Sequence, residues 1–261
     1  MKRYFGIYKI LLRLNFSALI VYRANFISSV IASTSWGVLM IASIALLTSK
    51  AKSINGWTRD ELLILSGAYS IVITLFHMFF SRNFERFSQV INRGELDGIL
   101  LKPASSQFLM SFWLFHFPNS GRLLMGILFI TYMIFKTGLT VSLINVIGFA
   151  ALAIFSITLL YSIWFITSTL TIWFTTLTNL TDFLYNFTSF GRFPREVYQE
   201  LKVYVFAFLL PLSLVVATPT KALIGKALAG DIAMLLAFSV IFFLLSGAFW
   251  KFALRYYTSA N

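Results

Sequence analysis

Between Arg82 and Gln107 the chain reads R-N-F-E-R-F-S-Q-V-I-N-R-G-E-L-D-G-I-L-L-K-P-A-S-S-Q, a polar island between long apolar runs. It holds seven of the protein's thirty charged side chains. Phe84, Phe87 and Ile91 recur at spacings of three and four, while Glu85, Arg86, Gln89 and Arg93 point elsewhere around a helix. The helix stops at Gly94, and Glu95, Asp97 and Lys102 follow before Pro103. Such an element suits recognition: an apolar edge set in a groove of a soluble partner, with charges at the rim. The plainer reading is a well-solvated loop.

Catalytic chemistry has little to stand on. Glu95 and Asp97 belong to one turn, and Asp182, Glu196 and Glu200 accompany basic residues in another, so no paired-carboxylate or Ser-His-Asp arrangement is defined. With two histidines and no cysteine, thiol chemistry is excluded and a structural zinc site is improbable. No G-x-x-x-x-G-K-[ST] occurs, and Gly225-Lys226 is followed by Ala227. His77 sits deep in an apolar run and His116 near Pro118, both read as packed or interfacial. Arg122 is read either as a partner for an acidic group or as snorkelling to headgroups. Thr167, Ser168, Thr169, Thr171, Thr175, Thr176 and Thr178 fit either a lined passage or helix–helix hydrogen bonding.

What must position these residues is a membrane body. Hydrophobic residues make up 59% of the 261, charged residues only 11%, and the mean hydropathy is +0.83. A soluble domain carries about 25% charged residues and would have nothing left to cover its surface. The net charge of +12 is scattered at the ends of apolar runs without a dense cluster, which fits membrane orientation better than nucleic-acid binding. The start M-K-R-Y-F-G lacks a short apolar run with a small-residue cleavage site, so no cleaved signal peptide is expected.

The spacing predicts an all-α polytopic fold in a single transmembrane domain over residues 1–261. Lys2, Lys9 and Arg13 share one helical face opposite Tyr4, Ile7, Tyr8, Leu11, Leu14 and Ala18, so residues 1–23 read as an amphipathic interfacial helix. Span one is Asn25 to Thr48 and span two Leu62 to Ser81, with a short polar loop between. Gly121 to Phe135 is the main depth of span three, with Phe108 to Pro118 interfacial or entering. Span four runs from Leu143 to about Ser168 and continues as a Thr-rich segment. A second polar island, Asp182 to Lys202, precedes span five, Val203 to Thr218. Pro194 suits the first turn of a short helix there, with Glu196 near its N-terminus. Pro219 to Asp231 reads as an external loop or re-entrant segment before span six, Ile232 to Trp250. Six spans with the N-terminus inside put 14 Lys and Arg on the side of both islands and both termini, against six opposite, with Arg122 unassigned.

The run N-R-G-E-L-D-G-I-L-L-K-P-A-S-S-Q-F at Asn92 to Phe108, F-G-R-F-P-R-E-V-Y at Phe190 to Tyr198 and L-P-L-S-L-V-V-A-T-P at Leu210 to Pro219 together resemble a permease subunit of the ABC-2 transporter type. The similarity is to bacterial six-span export permeases whose ATPase is a separate polypeptide. It implies a transport subunit and not an enzyme, in the bacterial plasma (inner) membrane with both termini cytoplasmic. It implies that the helix at about Asn83 to Arg93, in a coupling region 82–107 between spans two and three, contacts the ATPase. Phe84, Arg86, Phe87, Arg93, Gly94, Glu95, Asp97 and Pro103 are the coupling candidates. Arg192, Phe193, Pro194 and Arg195 match a second, cytoplasmic motif before span five. No cofactor is then expected in this chain; ATP and Mg belong to a partner ATPase dimer, and a second permease copy or homologue completes the path. The alternatives are a six-span scaffold or lipid-modifying membrane protein, and a secondary transporter, for which neither internal repeats nor a buried coupling site is found. The substrate is left open.

Overall fold

The computed structural model describes residues 2–50, 53–174, 179–199 and 201–258. Lys52, Glu200, Thr175, Thr176 and Thr178, and the side chain of Lys2, lie outside what is described. The chain is an all-α membrane protein whose only strands among the described residues, β1 (Ser53–Ile54) and β2 (Trp57–Thr58), form a small antiparallel hairpin in the loop after span one. Its turn is Asn55-Gly56, both at positive φ, the pair such a two-residue connection favours.

The helices are α1 (Lys2–Val21), α2 (Arg23–Leu47), α3 (Arg59–Phe76), α4 (Arg82–Glu85), α5 (Phe87–Asn92), α6 (Glu95–Leu100), α7 (Ser106–Phe112), α8 (Ser120–Thr137), α9 (Leu143–Thr169), α10 (Leu180–Ser189), α11 (Val203–Leu223) and α12 (Ala229–Ala253). Among the described residues six helical runs are long and apolar enough to cross a membrane: α1, α2, Arg59–Asn92, α8 with its preceding turn, α9 with its following turn, and α12. α1 is among them by length and apolarity, and α11, over which span five was expected, is a 21-residue helix of about 31 Å at helical rise whose described apolar stretch includes Leu209–Leu223.

The long axis is α3. Thr58 and Glu61 close a capping box at its start, and a π-helical turn, His77–Ser81, joins it to α4. The run from Arg59 to Glu85 is about 40 Å long, so the hairpin and the first polar island stand at opposite ends of the bundle. Against α3 lies α8, and their crossing is close because two glycines meet there. A Cβ added at Gly126 would lie 3.1 Å from Ser70 Cβ and 3.4 Å from the Gly67 carbonyl oxygen. Leucine at position 126 would wedge the pair apart, and we expect Gly126→Leu to cost about 1–3 kcal/mol. The midpoint of thermal unfolding in detergent reads this, and an unchanged midpoint would mean that the crossing relaxes freely.

The centre of the bundle is α9, packed against α11 and α12, with Trp164 and Phe165 fully buried. Trp164 Nε1 donates to Thr188 Oγ1 at 2.8 Å, which gives its one polar atom a partner in the dry interior.

The run that forms span three starts at Phe117 and does not include residues 108–116. α7 ends at Phe112, an irregular stretch follows, and a 3₁₀ turn at Phe117–Asn119 leads into α8. Irregular backbone inside a membrane needs its polar groups satisfied by protein, and two asparagines do this. Asn83 accepts from Leu114 N at 2.8 Å and donates to the Leu114 carbonyl at 2.9 Å. Asn15 accepts from Phe115 N and donates to the Trp113 carbonyl. Edge-to-face pairs Tyr4–Phe108, Tyr8–Phe112 and Phe16–Phe117 line α1 along the same stretch.

The last loop is shorter than the sequence suggests. α11 carries Pro211 and Pro219 inside it and ends at Leu223, so Pro219 does not open a loop, and Asp231 already belongs to α12. Hydroxyl back-bonds from Ser213 to Leu210 and from Thr220 to Val216 accompany the two prolines.

Candidate functional site

The first island folds into α4, α5 and α6. Gly94, at φ 69°, makes the left-handed joint between the last two. Its apolar stripe faces inward, not toward a partner. Phe84 packs among Tyr161, Trp164 and Phe165, and Phe87 sits between Phe165 and Trp250 at ring distances of 5.7 and 5.6 Å. Leu96 is fully buried as well. The expectation that Phe84 and Phe87 fill a groove on a soluble partner is therefore corrected: they fasten the element to α9 and α12. The surface left outside is polar. Arg93, Glu95 and Pro103 are exposed, and Glu95 lies between Arg86 at 3.6 Å and Arg93 at 4.0 Å. Asp97 faces Tyr257 of the C-terminal segment. A pocket of about 240 Å³ opens beside them, bordered by Arg86, Glu95, Lys102 and Trp113, with the Lys102 ammonium 4.5 Å above the Trp113 ring.

The second motif is not beside the first. α10 starts at the island end, where the Tyr185 hydroxyl donates to Glu85 at 2.6 Å. The chain then climbs through a turn at Phe190–Arg192, with Gly191 against the Leu212 carbonyl, and reaches the hairpin end at Arg195–Tyr198. There Trp57 Nε1 and Asn55 Nδ2 donate to Glu196. The sequence reading that put all of 182–202 on the side of the first island is thus corrected for Arg195 and Glu196. Phe193 and Pro194 are packed in the bundle, and Arg192 lies part-way between the ends.

At the hairpin end four charges close a neutral ring. Arg195 meets Asp231 at 2.7 Å, Lys221 meets Asp231 at 2.8 Å and Glu196 at 2.6 Å, and Arg195 lies 3.7 Å from Glu196. Burial acts to raise the Glu196 carboxyl, but hydrogen bonds from Lys221, the backbone and Trp57 outweigh it and hold the group below its usual range. Because the folded state favours the carboxylate, this contribution is present above the unfolded value of about 4.3 and is lost as pH falls through the folded one. Exchange protection of the hairpin amides should therefore be flat from about pH 7 to 5 and drop only in stronger acid. Glu196→Gln should remove that acid dependence, and a wild-type drop near pH 6 would contradict the assignment.

A third feature had no signal in the spacing. A cleft of about 680 Å³ runs between α2 and α10, with α3 and the π-helical turn as its floor. His77 and His116, far apart in sequence, both border it, as do Tyr69, Arg82, Glu85, Arg122, Tyr185 and Arg192. His77 is buried and packs against Tyr185 with tilted rings at 5.0 Å, while Arg82 Nε donates to His116 Nδ1 at 3.4 Å. Among the described residues no group of three His, Cys, Asp or Glu could hold a metal ion. Thr167, Ser168, Thr169 and Thr171 do not border this cleft. Thr167, Thr169 and Thr171 bond carbonyls of their own segment.

The protein-family model described as "ABC-2 family transporter protein" matches residues 34–261. A search of curated proteins found no match. The chain belongs to the ABC-2 transporter family.

Proposed function

We propose that this chain is the permease subunit of an ATP-driven export system in which a separate polypeptide hydrolyses ATP. The ATPase docks on the outer face of the first island, on Arg93, Glu95 and Pro103 and the pocket beside Arg86. One observation carries the reading: the island is bound to the bundle through buried Phe84, Phe87 and Leu96 while its charged rim stays exposed. A force applied to the rim therefore reaches α9 and α12 directly and α3 through the helical run that ends in α4. ATP and Mg²⁺ belong to the partner, and two permease copies, or this chain with a homologue, enclose the path. ATPase closure favours one of two arrangements of the pair, a population shift driven by the partner's differential affinity. In this reading the island end is cytoplasmic, in a bacterial inner membrane, and α1 lies along the interface with its aromatic face on the segment from Ser105 to Phe117.

The test is co-purification with a candidate ATPase, followed by reconstitution in vesicles. Glu95→Lys places a cation between Arg86 and Arg93 on a surface the bundle does not need. We expect thermal stability to hold within about 0.5 kcal/mol and permease-stimulated ATPase activity to fall about tenfold, or ~1.4 kcal/mol of docking energy. An ATPase rate indifferent to both the permease and this substitution would end the proposal.

A further inference from the structure

The cleft between α2 and α10 carries more positive charge than the protein neutralises. It holds three arginines and one carboxylate, and Glu85 is already engaged by Arg82 at 3.1 Å and by the Tyr185 hydroxyl. Among the described residues neither Arg122 nor Arg192 has a carboxylate within ion-pair distance. Arg122 Nε is buried without a hydrogen-bond partner, and its Nη2 reaches only the Met40 sulfur at 3.8 Å. Arg192 spends its Nε on the Ser189 carbonyl and also hydrogen-bonds the neutral Tyr69 side chain, so neither contact supplies a counter-charge. Guanidinium groups facing a membrane interior are costly unless an acceptor meets them. The buried Nδ1 of His77 is a second polar atom without a partner on the same wall.

The rest of the lining is of a different kind. Trp36, Leu39, Met40 and Ile73 make an apolar side, and Trp36 and Leu39 are exposed on the outside of the bundle. The cleft thus joins an under-neutralised cationic interior to an apolar lip, in a volume that suits a small-molecule ligand. We propose that it binds an anionic amphiphile, with a phosphate ester or carboxylate on Arg122 and Arg192 and an apolar body along Trp36 and Leu39. That such a molecule is the exported cargo rests on the permease reading; that the cleft binds it does not.

Binding is tested on the purified full chain in a neutral detergent, with no ATPase present, so failure here is separable from failure of coupling. The probes are didecanoyl phosphatidic acid, didecanoyl phosphatidylcholine and inorganic phosphate. The expected result is a dissociation constant for the phosphatidic acid at least about tenfold below that for the phosphatidylcholine, as charge-assisted bonds to guanidinium would give. Arg122→Gln with Arg192→Gln should abolish that preference, whereas Arg59→Gln at the exposed start of α3 should keep it. Equal binding of the two lipids, or a preference that survives the double variant, overturns the proposal. Competition by inorganic phosphate at the same concentration also overturns it and makes the cleft a free-anion site. If the double variant does not fold, a photoreactive phosphatidic acid decides on the unaltered chain: labelling at residues 33–43 and 185–192 supports the proposal, and labelling elsewhere defeats it.

Discussion

Asp231→Ala should unfold the hairpin end at lower temperature than any surface substitution, with an expected loss of about 3 kcal/mol. Asp231 is 2% exposed and receives both Arg195 and Lys221. Removing it turns a neutral ring of four into two cations sharing Glu196. Breaking a buried pair by deleting one partner costs about 3–5 kcal/mol because the remaining charge is stranded. The lower end applies here, since Glu196 still reaches Lys221 and Arg195 is partly exposed. The ring gathers the turn after Pro194, the end of α11 and the start of α12, so its loss frees three segments together. A second substitution isolates the electrostatic part. Arg195→Met added to Asp231→Ala restores neutrality between Lys221 and Glu196 and should recover at least about 1 kcal/mol, the coupling a double-mutant cycle measures. If the two losses simply add, the ring is not a unit and the hairpin end is held by packing alone.

That ring shows where sequence reading reaches its limit. The uncharged runs Asn25 to Thr48 and Leu143 to Ser168 fall within or close to α2 and α9, because a bilayer imposes length and apolarity on anything that spans it. Gly94 as a stop depends only on local backbone geometry, and it is at positive φ. Pairing across the fold is another matter. Nothing around Arg195 announces Asp231, and a charge count by segment assigns Arg195 to the side of its neighbours in sequence. Within a membrane a proline is also a weak stop, so Pro219 did not mark the end of α11. The cleft was equally hidden: His77, Arg122 and Arg192 stand on three elements that only tertiary packing brings together.

The direction of the aromatic stripe in the first island was the costliest ambiguity, and Phe87→Ala resolves it experimentally. Spacings of three and four define a stripe but say nothing of what covers it, because a partner's groove and the protein's own interior are equally apolar. Phe87 is 1% exposed and rests on Phe165 and Trp250. Truncating a buried phenylalanine costs about 3–5 kcal/mol, and a position near the bundle end, which relaxes more easily, should lie near 3. Both thermal stability and ATPase stimulation should then fall, whereas Phe87→Leu, closer in volume, should retain most of each. The contrast with Glu95→Lys carries the argument: that change is expected to weaken coupling and leave the bundle intact. A Phe87→Ala protein of unchanged stability that no longer bound its ATPase would reverse the assignment, making the ring a docking contact and the island a mobile element. Loss of both together would mean that the island works as a rigid extension of the helices behind it, as the proposed coupling to a separate ATPase requires.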